Sequence, residues 1–255
     1  MSVQLRTDAA RPDAQPPGRH ALRPSLLAVS HGTNSADGRE AIAGLVAAVA
    51  SALPSVHVSS SFVDVQQPDL DTGLDAIGGS AQSVVVPLLL SAGYHVHVDI
   101  ARSLHGRASE SVQLAKALGP DDALVQILAS RLAAAGLAPG DSIVLAAAGS
   151  SDHRAVRDCL EMGRRLGALL GRPVTVGFLS AAVPRLDGAI ETARQLHPGR
   201  RVVVGSYVLA PGYFADLAAA AGGDVTSEPL LIAGSRPPGQ LVDLVVERYR
   251  VARAV

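Results

Sequence analysis

Leu26-Leu-Ala-Val-Ser-His31-Gly32-Thr33 is written a second time in this chain, as Ile143-Val-Leu-Ala-Ala-Ala148-Gly149-Ser150. Both copies run apolar residues together, pass one variable position and reach a glycine, the pattern of a buried strand running into a turn. Working outward, Phe62-Val-Asp64…Pro68-Asp-Leu70 is answered by Phe178-Leu-Ser180…Pro184-Arg-Leu186. A third block, Val84-Val-Val-Pro-Leu-Leu-Leu-Ser-Ala-Gly93-Tyr94-His95, is answered by Val202-Val-Val-Gly-Ser-Tyr-Val-Leu-Ala-Pro-Gly212-Tyr213-Phe214. In this register His31 faces Ala148, Asp64 faces Ser180 and His95 faces Phe214. A doubled scaffold that keeps one set of polar residues predicts one site, carried by the first half.

The elements between these blocks fix the fold class. Apolar runs at Ser25–Ser30, Val56–Phe62, Ser83–Leu89 and Val112–Ala117 alternate with helical patterns at Gly38–Ala52, Asp69–Ile77, Val98–Leu104 and Asp121–Ala135. The second half repeats the order, with strands near 142–147, 173–179, 201–207 and 224–227 and helices near 152–170, 185–195, 213–221 and 238–251. Strands this apolar are covered on both faces, and strand–helix alternation makes the sheets parallel. The expectation is an α/β chain of two similar domains, each a parallel four-stranded sheet flanked by helices, with a cleft between them. At the fourth helix, Pro120 is expected at the start, where a missing amide costs nothing, with acids in the first turn.

The link Ala135-Gly-Leu-Ala-Pro-Gly140 marks the boundary. The expected domains are 24–138 and 139–255, each about 115 residues and within the usual domain range. Residues 1–23, rich in Pro, Arg and Ala, read as a disordered extension without the apolar core of a signal peptide. The 255 residues are 48% hydrophobic and 18% charged, a globular composition. A net charge of −1 points away from nucleic acid and anionic membranes as partners. No apolar run reaches the roughly 18 residues of a membrane span, so the chain is expected in the cytoplasm. Cys159 is the sole cysteine and reads as a buried, inert thiol.

Ligands of open parallel sheets bind beyond the carboxyl ends of the strands. His31 follows strand one, Asp64 ends strand two and Gly93-Tyr94-His95 follows strand three, so the polar residues meet on one edge. Two imidazoles and a carboxylate suit a divalent first-row metal, and three ligands leave coordination positions open. The same groups are proton acceptors near neutral pH. Gly32 and Gly93 let backbone and ligand approach closely. A lone histidine at a strand end is more often structural, and Asp64 alone also fits a turn or a helix cap. Convergence on one edge favours the functional reading. His97 fits a supporting role and Asp99 fits a helix cap. Arg39, Arg102, Arg154 and Arg185 lie near helix starts around the cleft, where they suit the carboxylates of an anionic ligand.

Three strings together resemble the class II chelatase family: Val-Ser-His31-Gly32, Phe62-Val-Asp64-x-x-x-Pro68-x-Leu70 and Gly93-x-His95-Val96-x-x-Asp99-Ile100. These are the sirohydrochlorin and cobalt chelatases, which insert a divalent metal into a modified tetrapyrrole without ATP. The resemblance runs from about Pro24 to the C-terminus. It implies the long form of the family, a monomer whose two halves act as a pseudo-dimer around one cleft. His31 and His95 match the histidines that bind the incoming metal and take part in proton removal. Asp64 stands where many relatives have Glu, which puts the metal preference in question rather than the reaction. Gly32, Gly93, Tyr94 and Arg39 would meet the tetrapyrrole. The partners implied are a sirohydrochlorin-type tetrapyrrole and a metal substrate, Fe²⁺, Co²⁺ or Ni²⁺, with no organic cofactor.

Insertion of Fe²⁺ in sirohaem synthesis is the leading expectation. Insertion of cobalt, or nickel, for cobalamin or a related cofactor is the nearest alternative. A non-catalytic metal or tetrapyrrole carrier is more remote. A hydrolase using Ser30 or Ser150 ranks last, because the chain has no Gly-x-Ser-x-Gly elbow.

Overall fold

The structure is a computed structural model and describes residues 23–78, 82–93, 100–105 and 112–254. The expected disordered extension lies outside the described residues apart from Arg23. The first half contains β1 (Ser25–Ser30), α1 (Ala36–Ala52), β2 (His57–Phe62), α2 (Leu70–Ile77), β3 (Ser83–Pro87), α3 (Ala101–His105), β4 (Val112–Leu114) and α4 (Asp122–Ala134). The second contains β5 (Ser142–Ala147), α5 (His153–Leu170), β6 (Val174–Phe178), α6 (Leu186–Leu196), β7 (Val202–Tyr207), α7 (Tyr213–Ala220), β8 (Val225–Thr226) and α8 (Gly239–Arg253).

Each half forms a parallel four-stranded sheet, in the orders β2-β1-β3-β4 and β6-β5-β7-β8. The apolar runs explain why the middle strands are central. Leu26, Leu27, Val29, Val84, Val85 and Val86 are each 0% exposed, which requires cover on both faces. Burying such a side chain contributes about 1.5–3 kcal/mol relative to leaving it in water. On α1 the buried Ile42, Leu45 and Val49 recur at helical spacing and turn one stripe to the sheet. Among the described residues no helix is long and apolar enough to cross a membrane.

Several element ends differ from the sequence reading. β3 stops at Pro87, which has no amide hydrogen to extend the ladder, rather than at Leu89. β4 stops at Leu114 rather than Ala117, while α3 spans Ala101–His105 and its expected start at Val98 lies outside the described residues. Pro120 precedes the cap of α4 instead of entering the helix. Asp121 takes the cap, its carboxylate accepting from the Ala123 amide at 2.9 Å.

Helical periodicity does not reveal that the halves exchange their last helices. α4 lies against α5 and β7 of the second half, and α8 lies against α1, β3 and β4 of the first. Arg131 on α4 donates to the carbonyls of Pro229 and Leu230 at 3.0 and 2.7 Å. Arg248 on α8 donates to the carbonyls of Ala117 and Leu118, both at 3.1 Å. The two arginines hold the same place in the repeat, and each satisfies the chain leaving the other half's last strand. One apolar core therefore runs through both halves, from Leu26 and Leu45 through Leu128 and Leu132 to Leu145 and Leu244.

Candidate functional site

In each sheet the order reverses beside the first strand, at β1/β3 and at β5/β7, where chains leaving in opposite directions open a crevice. His31 emerges from β1 exposed, and the backbone around it is tightly specified. Gly32 has φ +96°, and a side chain there would strike the carbonyl oxygen of Asp64. The Asp64 amide donates to the His31 carbonyl at 2.9 Å, and the Thr33 amide donates to Gln66 Oε1 at 2.7 Å. The turns after β1 and β2 are thus stitched together, with His31 and Asp64 side by side in the backbone and both exposed.

The turn reading of Asp64 has a structural basis as well. Its Oδ1 accepts from the Val65 amide at 2.8 Å. Val65 itself sits at φ 50°, a strained setting for a β-branched residue. Asp64 is not the helix cap. Asp69 caps α2, and the Thr72 amide it accepts at 2.8 Å holds its carboxyl below the usual range.

The second half rebuilds the backbone of this turn without its chemistry. Gly149 has φ +86° and presses on the Ser180 carbonyl, the Ser180 amide donates to the Ala148 carbonyl at 2.9 Å, and Ala181 repeats the positive φ of Val65 at 51°. A parallel bridge from Phe178 to Arg185 repeats that from Phe62 to Asp69, each beside a cis proline. Where the first half offers imidazole and carboxylate, the second has a methyl group and a hydroxyl that donates to the Ala148 carbonyl at 2.9 Å. Phe214, the counterpart of His95, is partly buried against the outer core of the second sheet and meets Tyr213 edge to face at 5.6 Å.

Tyr94, His95, His97 and Asp99 lie outside the described residues. Gly93, just before them, is described and packs on the other half. A side-chain carbon there would stand 3.1 Å from Ala155 Cβ and 3.3 Å from Ser150 Oγ. Its counterpart Gly212 lies reciprocally against Thr33 and Ser35. The chain leaving β3 and the chain leaving β7 therefore each reach the first-strand turn of the opposite half, and the two strand-end edges adjoin. Among the described residues no three metal-binding side chains converge, His31 and Asp64 being the described members of the expected set.

The arginines divide. Arg39 is exposed and donates to the Asn34 carbonyl at 2.9 Å. Arg154 is held by its own helix cap, Asp152, at 2.8 Å, and the pair lowers the Asp152 carboxyl to about 2. Arg185 occupies the cap position of α6 with no capping side-chain bond. Arg102 shares the wall of an open hollow with Asp64, Asp69, Asp71 and Ser103. Apolar side chains stand exposed on these same edges, Val65 at 50%, Val183 at 78% and Tyr213 at 70%. Cys159 is buried, as expected, and burial pushes its thiol up to about 12.

A family model described as CbiX matches residues 25–135 and 142–219. A curated protein named sirohydrochlorin ferrochelatase, from Bacillus subtilis (strain 168), is 27% identical over 171 residues. That alignment covers 64% of this chain and 66% of the relative, a little under two thirds of its length. Among solved structures, SirB from Bacillus subtilis with Fe³⁺ superposes with a TM-score of 0.71 at 24% identity, over 91% of this chain and 96% of that one. A CbiX structure described as the terminal enzyme for biosynthesis of siroheme in denitrifying bacteria gives 0.62 at 21% identity, over 89% and 99%. At these identities the structural likeness is one of fold, two parallel-sheet halves with the same architecture.

Proposed function

This chain belongs to the CbiX family, as its motif resemblance to the class II chelatases implied, and from that premise we propose that it is a metal chelatase that inserts a divalent metal into sirohydrochlorin. One observation carries the reading. The turn that bears His31 and Asp64 is rebuilt in the second half with the same backbone bonds and without either ligand. The turn's backbone forms without an imidazole or a carboxylate, which supports a chemical role for both. The repeat units 24–138 and 139–255 are units of sequence, the first carrying the metal site and the second walling the cleft. Acting as a monomer, the chain does the work of a dimer.

His31 and His95, with Asp64, hold the incoming metal on the first half's edge. The ion must be released to the macrocycle, so few ligands and an open coordination shell serve better than a closed cage. The exposed Val65, Val183 and Tyr213 supply apolar surface for the tetrapyrrole on both edges. Arg39, Arg102 and Arg185 are placed to meet its carboxylates, with help from helix N-termini. The macrocycle loses two pyrrole protons as the metal enters, and the imidazoles and the Asp64 carboxylate accept them.

Fe²⁺ is the metal of the leading reading, and Co²⁺ is the alternative. The solved SirB structures include one with Fe³⁺ and one with cobalt. The donor set accepts both, because affinity for such ligands follows the metal more than the site. The test is anaerobic incubation of the purified chain with sirohydrochlorin and Fe²⁺, Co²⁺ or Ni²⁺ in turn, following the tetrapyrrole's absorbance. Multiple turnovers with at least one metal support a chelatase. Stoichiometric binding without turnover would make the protein a carrier.

A further inference from the structure

The segment leaving β3 is held by the half that has no metal ligands. Leu89 keeps one bond to its own half, its carbonyl accepting from the Leu118 amide at 2.9 Å. Two of the next three residues, Leu90 and Ala92, are tied across the molecule. The Tyr207 hydroxyl, at the end of β7, donates to the Leu90 carbonyl at 2.7 Å. The Ala92 amide donates to Asp158 Oδ2 of α5 at 2.9 Å. Gly119 completes the joint, since a side chain there would collide with both the Leu90 carbonyl and the Tyr207 hydroxyl.

The repeat supplies a control for these contacts. The counterparts of Tyr207 and Asp158 are Leu88 and Ala41, which have no polar group to offer. The matching segment after β7 is held by its own half instead, through Leu230 to the Val208 carbonyl at 3.1 Å and Leu231 to the Leu209 carbonyl at 2.9 Å. Among the described residues, hydrogen-bonded cross-molecule anchors of this kind hold the side whose chain runs on from Ala92 toward Tyr94 and His95 in the sequence.

We propose that Asp158 and Tyr207 are positioning residues for the metal site. They fix the backbone of residues 90–92, directly before the stretch of sequence that contains His95. The inference rests on the metal-insertion reading above. Tyr207 is buried, which raises its phenol well above the ordinary value, so it remains a donor across the working pH range. The second copy has lost the ligands and supplies their alignment.

The test is Co²⁺ titration by calorimetry on the full chain without tetrapyrrole, alongside KM for the metal, KM for sirohydrochlorin and the thermal midpoint. Tyr207→Phe removes one oxygen, Asp158→Ala removes the acceptor, and Asp158→Asn keeps an oxygen that can accept from Ala92. Co²⁺ affinity is expected to fall about tenfold in Tyr207→Phe and Asp158→Ala, the usual scale for groups that orient metal ligands. KM for the metal should rise with it, KM for sirohydrochlorin should hold, and Asp158→Asn should recover affinity to within about threefold of wild type. Folded Tyr207→Phe and Asp158→Ala proteins with wild-type Co²⁺ affinity overturn the inference, whatever their thermal midpoints. If Asp158→Ala does not fold, Tyr207→Phe decides alone. His31→Ala, run in parallel, separates the two failures. Lost affinity there with retained affinity in the other variants sinks only the positioning role, while retained affinity in His31→Ala sinks the metal site and the inference with it.

Discussion

The turn after β1 and the turn after β5 share glycine conformation, backbone bonds and neighbouring cis proline, yet only one presents an imidazole and a carboxylate. Their likeness shows what the fold requires at this point, and their difference shows what it does not. Glycine at positions 32 and 149 is structural, because a side chain at either would strike the facing carbonyl. His31 and Asp64 are not structural in that sense, since Ala148 and Ser180 serve the same backbone.

The contrast is sharpest in activity. His31→Ala should lower metal insertion by about two to four orders of magnitude, the range of a lost ligand or proton acceptor. Ala148→Ser, at the facing position, should leave the rate within about twofold, since that side chain has no assigned part in proton transfer. Wild-type turnover in a metal-saturated His31→Ala protein would falsify the one-sided site.

Asp64 tests the same contrast more gently. Asp64→Ala should cost about ten- to a hundredfold in kcat/KM for the metal. Ser180→Ala should cost only stability, about 1 kcal/mol for one lost hydrogen bond. Asp64→Glu should retain most activity, and a loss as large as that of Asp64→Ala would show that side-chain length matters more than charge.

The exchanged helices give a comparison in stability. Arg248→Met strips donors from two carbonyls and also from Asp121, which it meets at 2.7 Å, and should cost about 2–4 kcal/mol in urea unfolding. Arg131→Met strips two carbonyls and should cost about 1–3 kcal/mol. Equal and negligible shifts in both would mean that apolar packing alone holds the exchange.

The smallest effect concerns Cys159, which faces Ile42 in the repeat. Burial keeps its thiol neutral up to about 12, against an ordinary 9.0. Iodoacetamide at pH 8 should therefore leave it unmodified in the native chain and alkylate it after unfolding. Because the folded pKa is the higher one, its contribution to stability is full below the unfolded value and declines as pH rises from about 9 toward 12. Rapid native alkylation would show that this joint opens.

Much of this was legible in the sequence because strand burial leaves a strong signal. The bounds of β1 and β5 follow from unbroken apolar runs, and the shared edge of His31 and Asp64 follows from parallel topology alone. The helix exchange was not legible, since an amphipathic helix records that it covers a sheet but not whose sheet it covers. One clue existed: Arg131 and Arg248 align in the repeat, as the first-strand turns do. Tyr207 and Asp158 were missed for the opposite reason. They break the repeat, and they do so in the half that lacks the histidines.

The exchanged helices also change what a mutation in either half can mean. A substitution in α8, far along the chain from His31 and Asp64, is felt on the sheet that carries His31, because that is the surface α8 covers. The copy without ligands is therefore not spare material free to drift. Its sequence is read out at the first half's strands, as that of α4 is read out at the second half's.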